Sequence, residues 1–186
     1  MDIISTNSYN FILAAGLAIL EIQIEGEHGW ARNLPTWRPS GTWYSKLDEK
    51  IMSGREFTGY HLTMFSLVFL IFQLPYVFGL PFNLVYELRT LSYFLIFVVL
   101  WGFLWFVLNP HYPISRFKKE HIWWHKKWAL GLPVDYYGSV VLSLLVIIPT
   151  QDFSWWITNI TLFLLETLIL IAFTVYVLKI DHWRQK

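Results

Sequence analysis

Three apolar stretches, 63–80, 91–108 and 157–178, decide what this chain can become, because only Glu166 brings a formal charge to any of them. Each is about as long as the hydrocarbon core of a bilayer demands of a helix, roughly 20 residues. None shows the one-sided apolar stripe of a helix resting on a soluble core. Composition agrees: 55% of residues are apolar, 19% aromatic and only 15% charged, against about 25% charged in an average soluble domain. The chain therefore reads as an all-α, polytopic integral membrane bundle forming a single domain over 1–186.

Five spanning helices are predicted, at about 9–24, 57–80, 83–108, 134–149 and 155–179, or four if the first segment does not span. Gly79-Leu80-Pro81 and Asn109-Pro110 supply the stops after the second and third. Only a few residues separate the second helix from the third and the fourth from the fifth, so each pair is expected to run antiparallel side by side.

Of the 14 Lys and Arg residues, all but Arg89 fall in the loops 26–56 and 109–135 or in the tail with Lys179, Arg184 and Lys186; Arg89 lies within the third span. Cytoplasmic loops are the ones enriched in Lys and Arg, which places both loops and the carboxyl end on the cytoplasmic side of the cell membrane, with the amino end outside. The amino end lacks the basic region of a secretory signal, and the chain is read as unprocessed. Net charge is +1, giving no field that favours nucleic acid, and the lack of cysteine removes thiolate metal sites and thiol nucleophiles.

Both loops are expected to lie on the membrane surface as interfacial amphipathic helices. Around Lys46–Lys50 the apolar residues recur at helical spacing, with Ser45 and Asp48 as a start signal, and over 121–128 indoles alternate with cations. Trp residues favour the headgroup level, where ring and N–H are both accommodated. Membrane lipid, anionic headgroups included, is thus the first partner implied; a homo-oligomer or a larger membrane complex is the second.

The residues able to carry chemistry gather at this same end. Glu21 and Glu25 are one helical turn apart, and His28 shares their face if the helix continues through Gly26. His121 and His125 form an i, i+4 pair that a helix would turn to one side, and His61 sits one turn into the second span. Carboxylates with imidazoles suit a divalent metal ion such as Zn, Fe, Mn or Mg. Glu120 is placed to act as a base or to orient His121. Arg38, Arg116 and Lys118, with Trp37, are the expected contacts for an anionic head. Glu166 falls near mid-bilayer, where a carboxylate must be protonated, paired or wet; Arg89, Thr161, Thr167, Gln73 and Tyr93 are its candidate partners.

Arg38-Pro39-Ser40-Gly41, and Ser115-Arg116 followed by His121, parallel pieces of the membrane phosphatidic-acid phosphatase motifs, but Thr42 stands where that family has a catalytic His. The expectation drawn from the residues is a metal-dependent enzyme acting on a lipid-like or isoprenoid substrate at the cytoplasmic face. The alternatives are a non-enzymatic subunit or scaffold of a membrane complex, and a proton-coupled carrier using Glu166.

Overall fold

A computed structural model describes residues 2–52, 54–112 and 114–180. It is helical apart from one two-stranded hairpin: α1 (Ile3–Glu25), α2 (Trp43–Ile51), α3 (Gly59–Val77), α4 (Leu84–Leu108), β1 (Trp128–Ala129), β2 (Leu132–Pro133), α5 (Val134–Ile147) and α6 (Phe153–Ala172). A π-helical turn, Phe173–Val177, extends α6. The end of the tail, with Arg184 and Lys186, lies outside the described residues.

Four of these helices are long and apolar enough to cross a membrane, consistent with a membrane protein: α1, α3, α4, and α6 with its extension. The fifth expected span, over 134–149, is an apolar helix that falls short of that length: a 14-residue α-helix prolonged by a 3₁₀ turn, Ile148–Thr150. Gln151 in the left-handed region (φ +59) then ends it. The first span is longer than its sequence suggested. It starts at Ile3 because the Asp2 carboxylate accepts the Ser5 N–H at 2.8 Å and caps the helix.

α4 is the centre. Its buried face, from Ser92 through Val107, includes Phe97, Trp101, Leu104, Trp105 and Phe106, and it packs most extensively against α1 and α5. Ala14 and Ala18 of α1 are fully buried in the same cluster; small side chains there let the two helices approach closely. Hydroxyls join α4 to α5, with Ser92 Oγ donating to the Ser143 carbonyl and Ser139 Oγ to the Leu95 carbonyl, both at 2.9 Å. α3 is held much more lightly, with Leu62, Leu67 and Leu70 among its outward residues.

The two long loops compare differently with expectation. The first does contain a helix, α2, but Thr42 rather than Ser45 caps it, accepting the Ser45 N–H at 3.2 Å. In the second, residues 121–128 form turns and extended chain rather than a helix. Ile122 and Trp124 are buried while His121 and Trp123 are exposed, an alternation that a repeat of 3.6 residues cannot produce. Trp124 is drawn inward to stack on Phe106, the rings 6° from parallel with centroids 5.8 Å apart. The chain then turns through Leu130 and Gly131, both at positive φ, so that β1 pairs antiparallel with β2 and enters α5.

Candidate metal centre

α1 stops at Gly26, which takes φ +63, and the chain doubles back. Gly29, Trp30 and Ala31 also lie at positive φ, +58, +48 and +50. For the two non-glycine residues this costs about 1–2 kcal/mol each, so the surroundings must hold them. The Ala31 N–H donates to the Glu25 carboxylate, the Trp30 indole N–H donates to the Glu56 carbonyl at 2.7 Å, and Arg38 donates to the Ala31 carbonyl. From the other long loop, Asn109 Nδ2 donates to the Gly26 carbonyl at 2.8 Å. This tight return fixes Glu25 and turns the Trp30 ring onto His61, with centroids 3.9 Å apart and planes at 15°.

His61 arrives from the first turn of α3. Thr58 caps that helix, and its Oγ1 accepts the His61 backbone N–H at 3.2 Å. The same oxygen lies 2.7 Å from His61 Nδ1, so one hydroxyl both starts the helix and fixes the imidazole. Nε2 is left facing two carboxylates, 3.7 Å from Glu21 Oε1 and 3.6 Å from Glu25 Oε1. Those separations exceed a hydrogen bond. They are close to the ~3.4 Å edge of a tetrahedron whose corners sit about 2.1 Å from a central ion. Glu21, Glu25 and His61 are all buried, and each offers a ligand atom within 4.8 Å of the others.

The group forms part of the wall of a cavity of about 570 Å³. A second polar set lies on the same wall: Arg55 pairs with Asp135 at 2.6 Å, and Asp135 in turn lies 3.0 Å from His125 Nδ1. Burial lowers the pKa of His125 below the usual histidine range; the bond to Asp135 opposes that shift without cancelling it. Arg55 lies over Trp30, its Cζ 4.3 Å from the ring centroid, so one indole carries both the imidazole and the guanidinium. The remaining walls are largely apolar, including Phe94, Val98 and Val99 of α4 and Leu142 of α5. A smaller cavity of about 420 Å³ shares Trp30, Met52, His61, Phe65 and Phe94 with the first and continues along α3 past Leu62, Phe69 and Leu70. Asp48 of α2 borders it, and burial raises that carboxyl above its ordinary value.

No family model, curated protein or solved structure matches the chain.

Of the six residues expected to hold metal, the fold brings Glu21, Glu25 and His61 together. His28 lies beyond the end of α1, exposed, because the helix does not continue through Gly26. His121 is exposed, and His125 is turned to Asp135 instead, because their segment is not a helix. Glu120 is exposed in the same loop. Glu166 takes Ser8 as its partner at 2.7 Å, and Arg89 pairs with Asp152 at 2.7 Å, so neither meets the other. Beside Glu166, Asn7 Nδ2 donates to Asn159 Oδ1 at 3.0 Å, joining α1 to α6.

The expected anion contacts also lie off the cavity wall. Arg38 is paired with Glu56 at 2.6 Å, while Arg116, Lys118 and Trp37 are exposed. The residues that sequence reasoning missed are Trp30, Arg55, Thr58 and Asp135. Thr58-x-x-His61 at the head of an apolar run is a capping pattern that was available. Nothing in the sequence distinguishes Arg55 from the other loop cations.

Proposed function

We propose that the protein is a divalent-metal-dependent membrane enzyme acting on an amphiphilic, lipid-like substrate. The observation that carries this reading is the placement of Glu21, Glu25 and His61 on the wall of a cavity whose other walls are mainly hydrocarbon. Two carboxylates and one imidazole leave part of an ion's coordination sphere to water or substrate, as catalytic sites require and closed structural sites do not. Such an ion polarises a phosphoryl or carbonyl oxygen, or makes bound water a nucleophile near neutral pH. His125, held by Asp135 and with its pKa lowered by burial, lies on the same wall and is suited to take up or deliver a proton.

The apolar part of the substrate lies against α4 and α5 and along the lightly packed α3, where a chain enters sideways from the bilayer. The loop-bearing end faces the cytoplasm, on the strength of its Lys and Arg residues. α2 rests at the membrane surface with exposed Trp43, Leu47 and Ile51 in the headgroup region.

Elemental analysis of protein purified without a polyhistidine tag tests the reading. About one divalent ion per chain is expected, lost in both His61→Ala and Glu21→Gln while the helical circular dichroism is retained. Protein that is metal-free, and stays so after incubation with Zn, Mn, Fe(II) and Mg, defeats it.

A further inference from the structure

We infer that Arg55 is the receptor for a terminal phosphoryl group, so that the substrate of the proposed metal centre is an amphiphile with a phosphomonoester head. The inference rests on the metal-enzyme reading above and adds the chemical class of the head. Arg55 is 8% exposed, yet it lines the same cavity as Glu21, Glu25 and His61. Its bonds involve Nε and Nη2: Nε donates to the Met52 carbonyl at 3.2 Å, and Nη2 meets Asp135 Oδ2 at 2.6 Å and Met52 Sδ at 3.7 Å. Nη1 takes part in none of these bonds.

Trp30 sets the relation to the metal ligands. The His61 ring lies 3.9 Å from the indole centroid and the Arg55 carbon 4.3 Å from it, so the indole contacts both the imidazole and the guanidinium. A ligand that touches both the ion and Arg55 must offer several acceptor oxygens around one compact centre. A phosphoryl group does this, with one oxygen on the ion and others on the guanidinium fork. An arginine serves here better than a lysine because its plane stacks on indole while its edge keeps donors free. Asp135 holds Nη2 of the guanidinium in place, and His125 in turn contacts Asp135.

Arg55 also forms a buried ion pair that ties the first loop to α5. Anion binding separates a receptor from a purely structural pair. The experiment uses metal-loaded full-length protein in nanodiscs. Binding is read by calorimetry for inorganic phosphate, and by thermal unfolding in discs of phosphatidylcholine alone or with added phosphatidic acid. Phosphate is expected to bind the wild type and to lose roughly ten- to a hundredfold in affinity in Arg55→Gln, with metal content unchanged. Arg55→Gln leaves Asp135 buried without its partner, so the double variant Arg55→Gln/Asp135→Asn, which keeps the site neutral, is measured beside it and is expected to lose phosphate to the same extent.

Stabilisation by phosphatidic acid over phosphatidylcholine, removed in both variants, assigns the phosphate to a lipid head; binding of free phosphate without that lipid effect assigns it to a soluble group. Wild type that binds metal but neither phosphate nor phosphatidic acid overturns the inference alone, as do variants that bind phosphate like the wild type. Wild type that binds no metal overturns the enzyme reading itself.

Discussion

Replacing Gly29 with alanine should damage this protein far more than the same change at Gly41, and the difference can be worked out from the surroundings. Both glycines sit at positive φ, +58 and +77, so both alanines incur the left-handed penalty of about 1–2 kcal/mol. At Gly41 a Cβ meets nothing within 4 Å. At Gly29 it would lie 2.6, 2.8 and 2.9 Å from three carbons of the Trp124 ring. That ring cannot yield easily, since it is stacked on Phe106 and packed edge-on against Trp105. Overpacking of this kind adds about 1–3 kcal/mol. The expected costs are therefore about 1–2 kcal/mol for Gly41→Ala and about 2–5 kcal/mol for Gly29→Ala.

Unfolding in mixed detergent micelles, followed by near-ultraviolet circular dichroism of the tryptophans, measures both. A second readout locates the damage: Gly29 adjoins the return that places Trp30 on His61 and the Ala31 N–H on Glu25, so Gly29→Ala should also weaken divalent-ion binding while Gly41→Ala leaves it intact. Equal destabilisation by the two variants would refute the packing of Trp124 on this turn, and with it the account of how Glu25 is positioned.

Thr58→Val removes the oxygen that fixes His61 Nδ1 and should cost about 10- to 100-fold in metal affinity, whereas Thr58→Ser should restore it; equilibrium dialysis with zinc distinguishes the two. Asp135→Asn leaves Arg55 buried without its counter-charge and should destabilise by about 3–5 kcal/mol, and pairing it with Arg55→Leu should recover much of that loss in the same unfolding assay. His125 has a pKa lowered by burial from 6.5, so the unfolded chain gains the proton first. Its contribution is fully present above pH 6.5 and declines as the pH falls below it; His125→Gln should flatten that acid-side decline in unfolding midpoints measured from pH 8 to pH 5. Glu166 is bonded to Ser8 and lies off the cavity wall, so Glu166→Gln should leave metal content unchanged.

The apolar runs made the helices legible because bilayer length and hydropathy act residue by residue, independently of packing. The segment at 134–149 was legible for the same reason, since the helix and its 3₁₀ turn run over Val134–Thr150, but it is shorter than the four helices long enough to cross a membrane. Glu21 and Glu25 could be paired from sequence since one helical turn separates them. Their meeting with His61 depends on a return at 26–31 stabilised by Asn109, Glu56 and Arg38, contacts between parts of the chain that no local pattern specifies. His121 and His125 show the converse. Their spacing fits a helix, but burying Ile122 and Trp124 outweighs that local preference and separates the two rings. Arg55 was hidden among the basic residues of its loop because only the fold carries it inward to Asp135 and Trp30.

X-ray absorption at the metal edge, on untagged protein loaded with zinc, probes the ligand set itself. A shell of nitrogen and oxygen neighbours at about 2.0–2.2 Å, with the outer-shell scattering of a single imidazole that disappears in His61→Gln, is the expected spectrum. Two or more imidazoles around the ion, or a spectrum unchanged by His61→Gln, would place the metal elsewhere and contradict the centre formed by Glu21, Glu25 and His61.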